Sequence, residues 1–237
     1  MIAKPVPLAL GFDADDTLWH NEGLFSAAHT KFQTLLASHH DAATVDRALY
    51  ATELRNLPLY GYGAKGFTLS AIETAIDLTG GRVSPAELRE LIALGRDILA
   101  HPVELLDAVP NVLAGLATAG HPMILITKGD LQHQERKISE SGLAPHFLAT
   151  EVVSEKDDVT YRRVLARHGI DPTRFLMIGN SLKSDIAPIL RLGGLAAHIP
   201  YHVTWEHERL ATPPEAPGRF FTLASLHELP ALVARLA

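Results

Sequence analysis

Phe12-Asp13-Ala14-Asp15-Asp16-Thr17-Leu18-Trp19 sets three aspartates at the end of an apolar run. That run, Val6 to Phe12, predicts a short buried strand. Asp13 and Asp15 stand two residues apart, so an extended backbone aims both side chains the same way. Two carboxylates at the end of a buried strand are costly unless something pairs with them. A metal ion, a lysine or a phosphoryl group in transit would serve. Taken alone, the pair reads more readily as a polar cap on a strand, with Asp15-Asp16-Thr17 as turn and helix-start chemistry. What decides is what else the chain carries, and in what order.

Composition sets the frame around that stretch. The chain has 237 residues, enough for one large or two smaller domains with a substantial core. Hydrophobic residues make up 47% and charged residues 20%, which argues against disorder. A formal net charge of −6 gives no basic footprint for nucleic acid. The absence of cysteine rules out disulfides and thiolate metal sites and fits a reduced cytoplasm. No apolar run approaches the roughly 18 to 20 residues that span a bilayer. Met1-Ile2-Ala3-Lys4-Pro5 leads straight into the acidic strand end and does not read as a signal peptide.

Beyond Trp19 the pattern turns helical as far as Ala100. Leu24, Phe25, Ala28, Phe32, Leu35 and Leu36 repeat near helical spacing. A second helix is expected from Asp41 to Asn56, and a glycine- and tyrosine-rich loop from Leu57 to Phe67. A third helix opens at Thr68 or Ser70 and ends at Gly80-Gly81. Ser84-Pro85-Ala86-Glu87 is a capping box with proline at the first helical position. This region, 20–100, reads as a helical cap domain inserted into a core made of 1–19 and 101–237.

The second half alternates. Helices are expected at Val112 to Ala119, Asp130 to Ser141, Thr160 to His168, Ser184 to Leu192 and Leu226 to Leu236. Strands are expected at Pro122 to Thr127, Phe147 to Val153, Phe175 to Gly179, Leu195 to Ile199 and Phe220 to Leu223. Such alternation predicts an α/β fold with a doubly wound parallel sheet. Tyr201 to Gly218, rich in proline, reads as a long irregular connection. Ligands of such sheets sit beyond the carboxyl ends of the strands. There the first strand delivers Asp13 and Asp15, and the second Thr127, followed by Lys128-Gly129-Asp130. Glu155-Lys156-Asp157-Asp158 follow the third, and Asn180-Ser181 and then Asp185 follow the fourth. Carboxylates, a hydroxyl and lysine at one edge are what phosphoryl transfer needs.

At this point the sequence resembles the haloacid dehalogenase superfamily over nearly its whole length. Four motifs appear in the family's order. They are Asp13-Ala14-Asp15-Asp16-Thr17, the strand-ending Thr127, the lysine Lys156, and Gly179-Asn180-Ser181-Leu182-Lys183-Ser184-Asp185. The helical insert is similar to the family's small helical cap on a Rossmann-like core.

The resemblance implies a Mg²⁺-dependent phosphatase acting on a small phosphorylated metabolite. Asp13 would attack phosphorus and form an aspartyl-phosphate. Asp15 would protonate the leaving oxygen and then activate water. Thr127 would donate to a phosphoryl oxygen, and Lys156 would hold Asp13 and the phosphoryl charge. Lys128 competes with Lys156 for that place or helps neutralise the substrate. Oxygens of Asp13, the Asp15 main chain, Asn180 and Asp185 would hold Mg²⁺, Asp185 orienting either a metal-bound water or Lys156. Dehalogenases of the superfamily lack the second aspartate and need no metal, so Asp15 favours phosphate ester hydrolysis.

Two residues depart from the family pattern. Asp16 stands where many relatives have glycine, a place that aspartate tolerates. Asn180 replaces the usual metal-binding aspartate, which weakens the charge offered to a cation. The cap supplies candidate substrate contacts in Arg55, Tyr60, Tyr62 and Lys65, with Lys128 and Gly129 on the core side. The rival readings are a sugar phosphomutase of the same superfamily and a catalytically weak phospho-ligand sensor. No nucleic-acid or membrane partner is expected, and the protein is expected in the cytoplasm as a monomer or homodimer.

Overall fold

The computed structural model describes residues 7–237. Val6, where the first strand was expected to open, lies outside them. In chain order the elements begin with β1 (Ala9–Phe12), α1 (Glu22–Leu36), α2 (Ala42–Tyr60), α3 (Ala64–Leu78) and α4 (Pro85–Ala100). They continue with α5 (Val109–Thr118), β2 (Met123–Lys128), α6 (Leu131–Glu140), β3 (Ala149–Val153), α7 (Asp158–Arg167) and β4 (Phe175–Gly179). Last come α8 (Ala187–Arg191), β5 (Leu195–His198), β6 (Phe220–Thr222) and α9 (Leu229–Leu236). Among the described residues no helix is long and apolar enough to cross a membrane.

The chain divides into two compact units. One comprises 7–22, Val103–Lys128 and Gln134–Ala237; the other comprises Gly23–Pro102 with Gly129–His133. In the first, six strands form one parallel sheet in the order β3-β2-β1-β4-β5-β6. Apolar residues fill both faces, as a buried parallel sheet requires. Leu10, Phe12 and Leu125 face a core built with α5 and α9, while Ala9, Ile126 and Met177 face one built with α7. Gly11 leaves room for the ring of Phe175, since a Cβ there would sit 2.2 Å from it. The strand order reverses between β1 and β4, and Asp13 N bonds Ile178 O across that junction at 2.9 Å. The junction is the switch point at which such sheets bind ligands.

The second unit is a four-helix packing around Phe32, Leu49, Phe67, Ala71, Leu91 and Ile98. Asp41 caps α2 through Thr44 N, and Ser84 and Glu87 close a reciprocal capping box on α4. The loop expected over 57–67 is instead the three residues 61–63. Helix α2 runs through Pro58 to Tyr60, and α3 opens at Ala64. The proline removes one donor, but the helix ends only where Gly61 turns to φ +70, its N–H bonding Leu57 O. Gly63, at φ +107, then accepts from Phe67 N and starts the next helix. A single helix expected from Ser184 is a five-residue π turn, Leu182–Ile186, followed by the short α8.

Candidate active site

Four strand ends of the sheet unit supply the site. At the end of β1, Asp13 is buried, its Oδ1 on Lys156 Nζ and its Oδ2 accepting from the Thr17 hydroxyl at 3.1 Å. The same hydroxyl lies 3.4 Å from Asn180 Oδ1, so an oxygen from the end of β4 converges on the one from β1. Lys156 follows β3 and stops just short of α7, because Asp157 caps that helix through Thr160 N at 2.8 Å. Its ammonium also meets Asp185 Oδ1 at 2.7 Å, and Asp185 Oδ2 accepts from Ser181 N at 2.9 Å. Asp185 is thus turned onto Lys156, with both oxygens already supplied with donors.

Two buried carboxylates therefore share one lysine. Burial first, and then Asp185, push the Asp13 carboxyl up to about 7 against the pull of Lys156. Burial also works against the ammonium, but Asp13 and Asp185 overcome it and hold Lys156 well above the usual lysine range. Asp15, two residues on, is treated differently. Its carboxylate receives Trp19 Nε1 at 2.6 Å, Lys137 Nζ at 2.5 Å and Gln134 Nε2 at 2.8 Å. Burial opposes its ionisation, yet these donors hold it below the usual carboxylate range. Asp16 takes a left-handed φ of +63 and turns its carboxylate to the N–H groups of Asn21 and Glu22, capping the start of α1.

Thr127, near the end of β2, is buried and its hydroxyl has no hydrogen-bond partner among the described residues. Such a group is costly to bury unless something takes its proton. Lys128 reaches Glu208 Oε1 at 2.5 Å, Ser184 Oγ at 2.8 Å and Glu155 Oε1 at 3.4 Å. Gly129 stands beyond it at φ +140. Two of the four cap candidates are held in ion pairs. Arg55 pairs with Glu73 at 2.7 Å and Lys65 with Asp130 at 2.9 Å. Tyr60 is exposed at the end of α2, and Tyr62 lies in the turn that follows.

Three groups escaped the sequence reading. Gln134 and Lys137 lie buried on α6, and Glu208 comes from the irregular stretch after β5. Glu208 accepts from Lys128, Ser181 and Ser184, and although burial opposes it, Lys128 draws its carboxyl down to about 2. Polar residues at helical spacing were the only signal for the α6 pair, and Glu208 had none.

Among the described residues, no three carboxylates or imidazoles form a metal cage of their own. The donor set at β1 and β4 nevertheless fits a hard cation. It is all oxygen, Asp13 Oδ2 and Asn180 Oδ1 converge, and the Asp13–Asp185 pair carries more negative charge than Lys156 offsets. Magnesium is commonly held by one or two carboxylates together with water and substrate phosphate.

A buried carboxylate braced by lysine stands at the switch point of a parallel α/β sheet. The chain belongs to the haloacid dehalogenase-like hydrolases, whose family model matches residues 8–193. It is 43% identical to a haloacid dehalogenase-like family hydrolase from Xanthomonas campestris, over 97% of this chain and 91% of that one, with a TM-score of 0.86. More distant structures share the fold. A 2-haloacid dehalogenase from Pseudomonas syringae is 21% identical over 98% of this chain and all (100%) of that one, with a TM-score of 0.63. A predicted phosphoglycolate phosphatase from Haemophilus somnus is 14% identical over 95% and 97%, with a TM-score of 0.61. Among curated proteins, none matches the chain.

Proposed function

We propose that the protein is a magnesium-dependent phosphatase that hydrolyses a small phosphomonoester through an aspartyl-phosphate on Asp13. The observation that carries this reading is the second carboxylate, Asp15, held ionised two residues beyond the lysine-braced Asp13. Attack on carbon with loss of halide needs one carboxylate and no proton for the leaving group. A phosphate ester needs a further group to serve its leaving oxygen and then the water.

Asp13 attacks phosphorus, the ester P–O bond breaks, and the leaving oxygen takes a proton that Asp15, ionised at rest, has first accepted from the phosphomonoester monoanion. Water then attacks the aspartyl-phosphate, Asp15 takes its proton, and phosphate departs. The donors around Asp15 favour the form that this second step needs. Thr127 has a proton to give to a phosphoryl oxygen. Lys156 balances the charge gathered on Asp13 and the phosphoryl group, and Asp185 orients it. Magnesium, when bound, draws charge off the phosphoryl oxygens. Asp13, the Asp15 main chain and Asn180 would hold it, with Asp185 acting through Lys156. Lys128, Gly129 and the cap residues Arg55, Tyr60, Tyr62 and Lys65 are the candidates for binding the rest of the substrate.

The test is a panel of phosphomonoesters with and without magnesium, scored by released phosphate. A 2-chloropropionate arm is scored by chloride, and a phosphosugar arm by isomer. Magnesium-dependent phosphate release is the expected result. Chloride without phosphate would overturn the reading in favour of dehalogenation, isomer in favour of a mutase, and binding without turnover in favour of a sensor.

A further inference from the structure

Helix α6 turns a polar face inward. His133, Gln134 and Lys137 are all buried on it beside Ile138. Gln134 and Lys137, three residues apart and so on one side of the helix, both end on the carboxylate of Asp15. Lys137 Nζ also reaches Asn21 Oδ1 at 3.1 Å, so it ties together both ends of the turn between Asp15 and Asn21. Gln134 Nε2 donates to Asp15 Oδ2 and to Lys128 O at 2.9 Å, which fixes which way the carboxamide faces. Its Oε1 is then left buried with no donor.

Fastening a helix to a strand end does not require this. An apolar pair of similar volume commonly does so with equal or better stability than a buried ion pair. Here the fold keeps a buried ammonium and tolerates an unsatisfied carbonyl, and both direct a donor at one carboxylate. We propose that Lys137 and Gln134 are positioning residues of the reaction, acting through Asp15 by fixing where its carboxylate stands. This rests on the reading that Asp15 serves the leaving oxygen.

Asp15 matters most where the leaving oxygen is poor, so kcat/KM for two substrates separates positioning from scaffolding. With magnesium, Lys137→Met is expected to lower kcat/KM for glycerol 2-phosphate about 100-fold, and for p-nitrophenyl phosphate, whose leaving group needs little help, by less than about 10-fold. Gln134→Leu is expected to act in the same direction by about 10-fold on the first substrate. Lys137→Arg, which keeps a cation on Asp15, is expected to restore most of the loss. Trp19 Nε1–H, bonded to the same carboxylate at 2.6 Å, gives an independent signal. Its NMR resonance, told apart from that of Trp205 by Trp205→Phe, should move in Lys137→Met and return in Lys137→Arg.

Equal losses on both substrates, or an unmoved Trp19 resonance, would overturn the proposal. Unchanged kcat/KM in Lys137→Met while Asp15→Asn is inactive on glycerol 2-phosphate would overturn it and leave the phosphatase reading standing. Full activity in Asp15→Asn would overturn both. If Lys137→Met does not fold, Gln134→Leu and Asn21→Ala carry the same test.

Discussion

Replacing Gly179 by alanine drives a wedge into the carboxylate cluster. A Cβ there would stand 2.2 Å from Asp185 Oδ2, 2.4 Å from its Cγ and 2.6 Å from its Cβ. Ordinary contacts begin near 3.4 Å, so the carboxylate must retreat by roughly 1 Å. Rotation about χ1 cannot clear the clash, because Asp185 Cβ is itself too close. The turn Leu182–Ile186 must therefore shift as well. The bond from Lys156 Nζ to Asp185 Oδ1, now 2.7 Å, then stretches beyond hydrogen-bond range. Overpacking costs about 1–3 kcal/mol, and losing a charge-assisted bond about 1.5–3 kcal/mol. The total is about 2.5–6 kcal/mol, which lowers Tm by about 5–24 °C in a protein of this size. A misplacement of about 1 Å beside Asp13, the proposed nucleophile, lowers kcat by up to about 100-fold. Gly115, on an exposed stretch of α5 with nothing within 4 Å of its Cβ position, is the control. Gly115→Ala should leave kcat alone and raise Tm slightly. Melting and turnover of Gly179→Ala indistinguishable from wild type would refute this packing of Asp185.

Three further perturbations follow from the same network. Asp13→Asn should abolish turnover and leave the fold intact. Because burial and Asp185 raise Asp13 from 3.8 to about 7, the folded protein binds that proton more tightly than the unfolded chain. That contribution is complete below 3.8 and is lost as pH rises through about 7, so in chelator the variant should gain Tm on wild type between pH 5 and pH 8; a gap of constant size would contradict it. Glu208, drawn from 4.5 to about 2, contributes stability above its ordinary value and loses it as pH falls. Glu208→Gln should cost about 2 kcal/mol in denaturant titration at neutral pH and little near pH 2. Asp16→Gly relieves a left-handed φ worth about 1 kcal/mol, which the freedom of glycine in the unfolded chain largely offsets. It also removes the acceptor for Asn21 N and Glu22 N, so a net loss of about 1–2 kcal/mol is expected; a higher Tm would show that the backbone term wins.

The sheet was most legible where a strand is a short apolar run beside glycine, as at β2, β4 and β5. Phe175–Gly179 matches residue for residue, and β2 begins and ends one residue later than expected. Helix ends were less legible. Pro58 reads as a stop, yet the chain continues for two residues until Gly61 permits a left-handed turn. The turn Leu182–Ile186 opens to a π geometry in which the N–H groups of both Asp185 and Ile186 reach Ser181 O, a choice that helical periodicity does not encode. In the site, the residues carried by strand ends were visible in sequence order. Gln134 and Lys137 were not, because amphipathic reasoning assigns polar residues to the solvent face of α6. Glu208 was not, because no repeat marks an irregular connection. The departure at Asp16 was legible down to its backbone: aspartate there adopts φ +63.

Phosphorylation of Asp13 is read out by mass spectrometry of acid-quenched Asp15→Asn protein mixed with p-nitrophenyl phosphate and magnesium. That leaving group departs with little help, while hydrolysis of the intermediate stalls without the carboxylate. A stoichiometric burst of p-nitrophenolate and one phosphoryl group on the peptide that contains Asp13 are expected. Steady phosphate release by the wild type, with that peptide never labelled in either protein, would contradict phosphorylation of Asp13.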